Sequence, residues 1–360
     1  MAKKRVIAAM SGGVDSCVAA SMLCEQGFEV IGVTMKLHEC SDTGTSPSCC
    51  GVDGILKAAA AAGKLGMRHY VYDCVKDFEE LILKPSWEEY ANGRTPSPCL
   101  HCNEKVKFGL LMKFADELNA DYIATGHYSR IQTDENGVTC LMRGLDANKD
   151  QSYFLAGLTT DQLKRILFPL GEMTKPQVRE YARIHDIPSA ESPESQDACL
   201  VGTFGSFSEM LRHRFKGEPK KGIVVDEEGK KIAPHEGIHR FTVGQRRGLN
   251  LNTHKTYWVK GIRAEDSTVV VTDKSDNVQG RGLTADGMVT AYEYADGQTV
   301  PCQAQVRYRQ KPAKAVYTSL GGGNGRVDFI EPVSAIAPGQ AVVIYDGEKV
   351  LGRGRIITSY

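Results

Sequence analysis

Arg5-Val-Ile-Ala-Ala-Met10, Ser11-Gly-Gly-Val-Asp-Ser16 and Cys17-Val-Ala-Ala-Ser-Met-Leu23 follow one another without a break. The first run is apolar and reads as a buried strand; the last reads as a helix. The turn between them holds two glycines and two serines at a helix start. Backbone N–H groups and the helix dipole make such a turn an anion site. Gly12 and Gly13 let the backbone approach a phosphate, and the Ser11 and Ser16 hydroxyls add donors. Asp15 would repel a phosphate unless it serves a magnesium ion (Mg2+) or a substrate group.

No Gly-Lys-Ser/Thr closes the turn, so it is not a P-loop. It resembles the pyrophosphatase loop (PP-loop), SGGxDS, of enzymes that split ATP into AMP and pyrophosphate. That resemblance makes Ala9, Met10, Ser11, Gly12, Gly13, Val14, Asp15 and Ser16 the expected ATP contacts. A plain strand-to-helix turn with a serine cap is the structural alternative.

Outward from the turn, strand-like and helix-like runs alternate. Glu29–Met35, His69–Asp73 and Tyr122–Thr125 read as strands; Asp53–Leu65, Lys76–Tyr90 and Lys105–Leu118 read as helices. Alternation of this kind predicts an α/β fold with a doubly wound parallel sheet, binding ligands beyond the carboxyl ends of its strands. Met35, Gly126 and His127 fall at such ends. Asp134–Gly137 reads as a hairpin turn, and Thr174 as the cap of a helix running to about His185. From Gly222 onward short strands and turns take over, and their even spacing suggests a small C-terminal β-barrel. The expected division is a catalytic domain over 1–205, a small middle domain over 206–280 and a β-barrel over 281–360.

The chain has 360 residues with 44 basic and 44 acidic side chains, so RNA contact, if present, must come from local patches rather than overall charge. No apolar run reaches the length of a membrane span, and Met-Ala-Lys-Lys-Arg leads straight into a strand. The expectation is a cytoplasmic protein with no membrane partner.

Eleven cysteines is many for a reducing compartment, where they are more often buried, metal-bound or catalytic than bridged. Cys17, Cys24, Cys74, Cys140 and Cys302 sit in apolar patterns and read as core residues. Cys40, Cys49 and Cys50 occupy a polar loop and take no assignment. Thr95-Pro-Ser-Pro-Cys99-Leu-His-Cys102-Asn103 is different. Its prolines hold the backbone extended, and its thiols precede the helix expected from Lys105, where a helix N-terminus would favour thiolate. By itself the Cys-x-x-Cys spacing fits a redox pair, half a zinc site or part of an iron–sulfur site. Cys199 follows Ser195-Gln-Asp-Ala in a polar, loop-like context.

Taken together, the chain resembles the bacterial tRNA-specific 2-thiouridylases. The marks run in order: Met10–Ser16, Met35, the Pro-x-Pro loop with Cys102-Asn103, Thr125-Gly-His-Tyr128, Lys149-Asp-Gln-Ser-Tyr-Phe154, Ser195-Gln-Asp-Ala-Cys199, Phe241-Thr-Val-Gly-Gln-Arg-Arg-Gly248, Arg307-Tyr308 and Pro338-Gly-Gln340. The resemblance implies that AMP is transferred from ATP to the C2 oxygen of the wobble uridine, which sulfur then displaces. It implies catalytic roles for Asp15, Cys102 and Cys199, with a persulfide on Cys199 and a transient Cys102–Cys199 disulfide. Met35 and Gly126 would touch the nucleotide. Ser97, Pro98 and Cys99 would hold the flipped base. His127, Lys149, Asp150, Gln151, Arg307, Tyr308 and Gln340 would contact tRNA. The implied partners are tRNAs with Lys, Glu or Gln anticodons, and a sulfur source: a cysteine desulfurase, a sulfur carrier or free sulfide.

One departure opens an alternative. Many members have Asn-Pro-Asp where this chain has Ser97-Pro98-Cys99. Related thiolases hold a 4Fe-4S cluster on three cysteines and leave one iron open for sulfide. Cys99, Cys102 and Cys199 are the matching candidate ligands. A cluster makes Cys99 essential; a persulfide route leaves it optional. Beyond this family, the rivals are another PP-loop adenylating ligase or amidotransferase, which needs no reactive thiol, and a non-catalytic iron–sulfur RNA-binding module.

Overall fold

Alternating apolar runs and helices place five parallel strands side by side. β1 (Arg5–Ala9) leads to α1 (Val14–Glu25), β2 (Glu29–Lys36), α2 (Val52–Lys64) and β3 (Arg68–Asp73). β4 (Tyr122–Ala124) follows α6 below. The computed structural model describes residues 3–39, 52–191 and 204–360. Cys40, Cys49, Cys50 and Cys199 lie outside the described residues.

The sheet order is β3-β2-β1-β4-β7, where β7 is the two-residue strand Ile166–Leu167. Every neighbouring pair is parallel. Successive connections run one way from β1 to β3 and the other way from β1 to β4, so the topological switch lies between β1 and β4. Loops leaving the carboxyl ends of those two strands diverge and open a crevice there. Val6 and Ile7 are wholly buried, and Val6 shares one core with Cys17, Val18 and Ala20 of helix α1. The doubly wound sheet expected from the sequence is present. β7 is too short to leave a periodic signal.

Two helices differ from expectation. Lys76–Tyr90 is broken into α3 (Val75–Phe78), a π-helical turn (Glu79–Leu83) and α4 (Lys84–Ala91). Pro85 lies in the first turn of α4. It has no N–H to give the preceding turn, and the backbone widens to π geometry where the regular ladder is interrupted. Nor does a helix begin at Lys105. Helical backbone starts at Pro98, as α5 (Pro98–His101), then a π-helical turn (Cys102–Lys107), then α6 (Phe108–Glu117). Proline suits the first helical position because its fixed φ is already helical. Cys102 therefore sits inside helical backbone, not ahead of it.

By contact the chain forms two units. One comprises Met1–Leu81, Cys99–Thr203 and Glu348–Val350; the other comprises Ile82–Pro98, Phe204–Gly347 and Leu351–Tyr360. The first also carries the hairpin β5 (Ser129–Thr133) and β6 (Thr139–Arg143), closed by Asp134, whose carboxylate accepts from the N–H groups of Asn136 and Val138. It further contains α7 (Ser152–Leu155), α8 (Thr160–Leu163) and α9 (Lys175–Ile184). Thr174 and Gln177 form a capping box at the start of α9.

The second unit holds α10 (Phe207–Arg214) and a four-stranded sheet of β8 (Gly222–Val225), β9 (Lys231–His235), β10 (Trp258–Arg263) and β11 (Thr268–Thr272), in the order β10-β11-β8-β9. It also holds β12 (Gln279–Thr290), β13 (Thr299–Gln305), β14 (Ala313–Gly321), β15 (Asn324–Ser334), β16 (Ala341–Asp346) and β17 (Lys349–Ser359). These follow the order β12-β15-β14-β13-β16-β17, and β12 pairs back with β17, closing a barrel with no free edge. Tyr317, Val327, Val342 and Ile344 fill its interior. Residues 82–98 belong to this unit. Trp87 packs edge-on to His239, and Glu89 takes ion pairs from Arg94 and Arg355.

Ile7 is 0% exposed at the centre of the parallel sheet. Ile7→Ala is expected to remove about 3 kcal/mol of unfolding free energy, measured as a lower urea midpoint by circular dichroism. The same truncation at exposed Ile184 should leave the midpoint in place.

Candidate active site

The turn between β1 and α1 is held by its own hydroxyls. Ser11 N–H donates to Ser16 Oγ at 3.1 Å, and Ser16 Oγ donates to the Gly13 carbonyl at 3.0 Å. The backbone of Gly13 is the helix N-cap, and no side chain caps it. A serine cap, the structural alternative weighed from sequence, is absent, which leaves the N-terminal dipole of α1 uncovered. Gly12 has φ +79°, and a Cβ there would stand 2.3 Å from the Gly54 carbonyl oxygen. Helix α2 thus lies hard against the loop, and only glycine fits.

Asp15 is the charge that a phosphate must tolerate. Lys175 Nζ reaches both of its carboxylate oxygens, at 2.6 and 2.7 Å. Tyr128 Oη donates to Asp15 Oδ1 at 2.8 Å. The Lys175 side chain is only 9% exposed and Asp15 34%, so this pair is shielded from solvent far better than a surface bridge. Lys175 is fixed in turn by α9: it is the first helical residue, and its backbone N–H donates to Asp146. Sequence inspection did not single out Lys175, because one lysine at a helix start carries no local mark. Tyr128 had such a mark, in Thr125-Gly-His-Tyr128.

The loop after β4 closes the other side of the crevice. A Cβ on Gly126 would stand 2.7 Å from both the Asp15 carbonyl carbon and the Ser16 nitrogen, so the two loops touch backbone to backbone. His127 Nδ1 and Thr125 Oγ1 are 2.7 Å apart, and the ring packs near Phe108 and Phe168. Burial first, and then the Lys107 charge, lower the His127 pKa to about 3. Met35 is buried at the carboxyl end of β2, opposite Tyr72 in register. Ala9 pairs with Val33 in β1, and Val14 is buried in the sheet core.

Of the residues expected to meet RNA, several are engaged within the fold. Asp150 accepts from Arg143 Nη1, from the Gly144 and Ser152 N–H groups and from Ser152 Oγ. Gln151 Oε1 accepts from the Tyr128 N–H, and the Gln151 N–H returns to the Tyr128 carbonyl. Lys149 lines a cleft of about 760 Å³ with Lys175 and Arg179. In the other unit, Gln305 Nε2 ties down the Arg307 and Tyr308 carbonyls, and Tyr308 stays 36% exposed. Arg307 Nη2 donates to the Val243 carbonyl. Ser97 Oγ accepts from the Ala341 N–H, and Gln340 Nε2 donates to the Thr95 and Pro96 carbonyls.

Cys99 is exposed and Cys102 is buried. Cys74 is held near pKa 12 by burial first, then by Asp77 and Asp73, and lastly by Cys102. Cys74 is thus close enough to feel the Cys102 charge, a proximity invisible in the sequence. Burial raises the Cys17 thiol and lifts Cys302 to about 11, which suits core residues. Among the described residues no cluster of three His, Cys, Asp or Glu side chains is arranged to hold a metal ion. Among them, too, no helix is long and apolar enough to cross a membrane.

A family model described as the tRNA methyl transferase HUP domain matches residues 4–203, one described as a PRC-barrel domain matches 209–273, and an aminomethyltransferase β-barrel domain model matches 281–356. The tRNA-specific 2-thiouridylase MnmA of Carboxydothermus hydrogenoformans is 42% identical over 358 residues, covering 98% of both chains. The chain belongs to the tRNA-specific 2-thiouridylase family. Similar relatives bearing that name are found in Geobacter metallireducens, at 41% identity with 99% of this chain and 97% of the relative covered, and in Thermus thermophilus, at 42% with 97% and 94% covered. Family membership also supports ATP binding.

Two outcomes follow from this geometry. Gly126→Ala should push the Asp15–Ser16 backbone aside and weaken ATP binding about tenfold or more, measured by titration calorimetry. Gly63→Ala, where a Cβ meets nothing within 4 Å, should not. His127, depressed from its ordinary 6.5 to about 3, stays neutral through the physiological range. The unfolded chain takes up that proton first, so the His127 contribution to stability is present above pH 6.5 and is lost as pH falls below it. Its ring signals in NMR should not titrate between about pH 8 and 5.

Proposed function

We propose that the chain is an ATP-dependent tRNA 2-thiouridylase acting on the wobble uridine. The observation that carries this is identity of about two residues in five with tRNA-specific 2-thiouridylases over essentially the whole length of both chains. The uncapped turn at Gly12–Gly13 supplies the phosphate site such chemistry requires.

The uridine C2 oxygen attacks the α-phosphate of ATP, pyrophosphate departs, and the oxygen becomes part of an AMP leaving group. A sulfur nucleophile then adds at C2 and AMP leaves, giving 2-thiouridine. Asp15 would hold a magnesium ion, which would supply positive charge against the phosphates, once Lys175 turns from the carboxylate to the anion. In the persulfide route, Cys102 thiolate attacks the Cys199 sulfur that bears the extra sulfur. A Cys102–Cys199 disulfide forms, and hydrosulfide is released toward C2. A dithiol reductant restores both thiols. In this route a cysteine desulfurase or a sulfur carrier transfers sulfane sulfur to the Cys199 thiolate and keeps its own thiolate as leaving group, whereas free sulfide serves only the cluster route below. Residues 1–205 would carry the catalysis, with 206–280 and 281–360 as the middle and barrel modules. Ser97, Pro98 and Cys99 would border the flipped base. His127, Lys149 to Gln151, Arg307, Tyr308 and Gln340 would contact tRNAs with Lys, Glu or Gln anticodons. The cytoplasm is the compartment where such a substrate is met.

A second route draws on the donor chemistry of the same stretch: Cys99, exposed, and Cys102, buried, stand three residues apart in consecutive helical segments. This soft donor pair fits thiolate-bound iron. Cys99, Cys102 and Cys199 would then hold a 4Fe-4S cluster, which supplies an iron open to sulfide. His127 and the loop residues would serve base placement unchanged.

With ATP, a sulfide source and an anticodon stem-loop, the protein should form 2-thiouridine, AMP and pyrophosphate in equal amounts. Cys102→Ser and Cys199→Ser should lose thiolation yet still release pyrophosphate. Full activity of Cys199→Ser would instead point to an adenylating ligase or amidotransferase, which needs no reactive thiol. Absence of pyrophosphate release would leave a non-catalytic RNA-binding module. Anaerobic purification with an iron count, for wild type and Cys99→Ala, separates the two sulfur routes.

A further inference from the structure

A chain of hydrogen bonds enters the Ser11–Ser16 turn from β3, two strands away from β1. His69 of β3 is in register with Gly32 of β2. The missing side chain there lets the imidazole lie across the strand, since a Cβ on Gly32 would stand 3.2 Å from His69 Cδ2 and 2.8 Å from Met10 Sδ. The ring thereby reaches Thr34, two residues further along the same face of β2. His69 Nε2 is 2.9 Å from Thr34 Oγ1, and Thr34 Oγ1 donates to the Met10 carbonyl at 2.8 Å. Thr34 and Met10 are both buried, so a broken bond here is not simply replaced by one to water.

The direction of these bonds follows from the protons available. A hydroxyl has one proton, and the Met10 carbonyl can only accept, so the Thr34 proton goes to Met10. His69 Nε2 must then donate to the Thr34 oxygen. Burial lowers the His69 pKa from its ordinary 6.5, so at physiological pH the ring is neutral with its proton on Nε2. Beyond Met10 the bonds continue through one rigid peptide plane. Its carbonyl is that of Met10, and its N–H is that of Ser11, which donates to Ser16 Oγ at 3.1 Å. Ser16 Oγ donates in turn to the carbonyl of Gly13, the N-cap of α1, at 3.0 Å. Each donor polarises the next, so the bonds strengthen in series.

We propose that His69 is a positioning residue for the Ser11–Ser16 turn: through Thr34 Oγ1 it orients the Met10–Ser11 peptide plane, and with it the Ser16–Gly13 closure that shapes the anion site. The proposal deepens the reading that this turn holds ATP, and rests on it. Every residue in the chain of bonds belongs to one unit. Thr34 by itself is a rotor that can turn its proton to another acceptor. The imidazole N–H occupies the Thr34 oxygen and leaves the hydroxyl proton aimed at Met10. From the sequence His69 reads only as part of a strand, because nothing local marks the hydroxyl it reaches.

The test uses the full chain as wild type and as His69→Ala, His69→Gln and Thr34→Val. Long-range proton–nitrogen NMR correlations of the wild type at about pH 8 should show His69 as the Nε2–H tautomer. In titration calorimetry His69→Ala and Thr34→Val should bind ATP about fivefold more weakly, with affinity for an anticodon stem-loop unchanged. The side-chain amide of His69→Gln can donate in place of Nε2–H, and that variant should bind ATP within about twofold of wild type. A histidine that merely supports the fold would lower both affinities together and gain nothing from glutamine. The Nδ1–H tautomer would overturn the proposal. So would wild-type ATP affinity in His69→Ala, equal losses for ATP and the stem-loop, or no rescue by His69→Gln. Should His69→Ala fail to fold, Thr34→Val and the wild-type tautomer decide by the same readouts. A wild type that binds no ATP would sink the nucleotide reading and the proposal with it, whereas normal wild-type binding with unchanged variants sinks the proposal alone.

Discussion

A carboxylate in the middle of a glycine turn that opens a helix repels any anion there until a cation neutralises it. In this protein the cation is Lys175, delivered from the start of a helix on the far side of the chain, with both Asp15 oxygens within 2.7 Å. Tyr128 adds a hydroxyl donor from the loop after β4. One ion pair thus ties together three elements: the glycine turn after β1, the turn after β4 and the amino end of α9. Each arrives at the crevice for a different reason, and the charge pair fixes their mutual distances. Because Lys175 is largely shielded, the attraction is screened little by salt, and its loss would leave the Asp15 carboxylate without this counter-charge in the crevice.

Backbone contact does the rest of the positioning. Gly12 lies against Gly54 and Gly126 against Asp15 and Ser16, at separations that exclude any Cβ. The serine hydroxyls, which look like ligand donors in the sequence, first serve to close the turn on itself. The uncapped helix N-terminus is then the feature left facing the crevice, and a dipole of this kind is most effective where water is partly excluded. His127 fits the same design. Held neutral by its surroundings, it can donate or accept a hydrogen bond without placing a second charge in the crevice.

The second unit shows how a stretch with missing N–H groups is kept in place. Residues 82–98 lie between Trp87, packed on His239, and the Gln340 amide. Glu89 is shared by Arg94 and Arg355, and Arg355 also pairs with Asp286. Prolines make the segment stiff; side chains far along the chain make it stationary. Stiffness alone would leave its position undetermined, and the hydrogen bonds alone would hold a floppy chain poorly.

The local chemistry of the sequence determined the parallel sheet, the nucleotide turn and the β-rich second half, because each leaves a periodic or compositional trace within a dozen residues. The runs Arg5–Met10 and Glu29–Met35 could only be buried strands, and Ser11–Ser16 only a turn opening a helix. The tertiary structure alone decided which charge neutralises Asp15, 160 residues away, and which amide holds Thr95, 245 residues away. It also decided the strand order, the two-residue β7, the nearness of Cys74 to Cys102 and the π-helical turns on either side of the proline-rich segment. A lysine or glutamine carries no mark of a distant partner, since the pairing energy depends on a separation that only folding creates. The helix that starts at Pro98 rather than Lys105 has the same origin. Proline permits a first helical turn, and only packing shows whether the chain takes it.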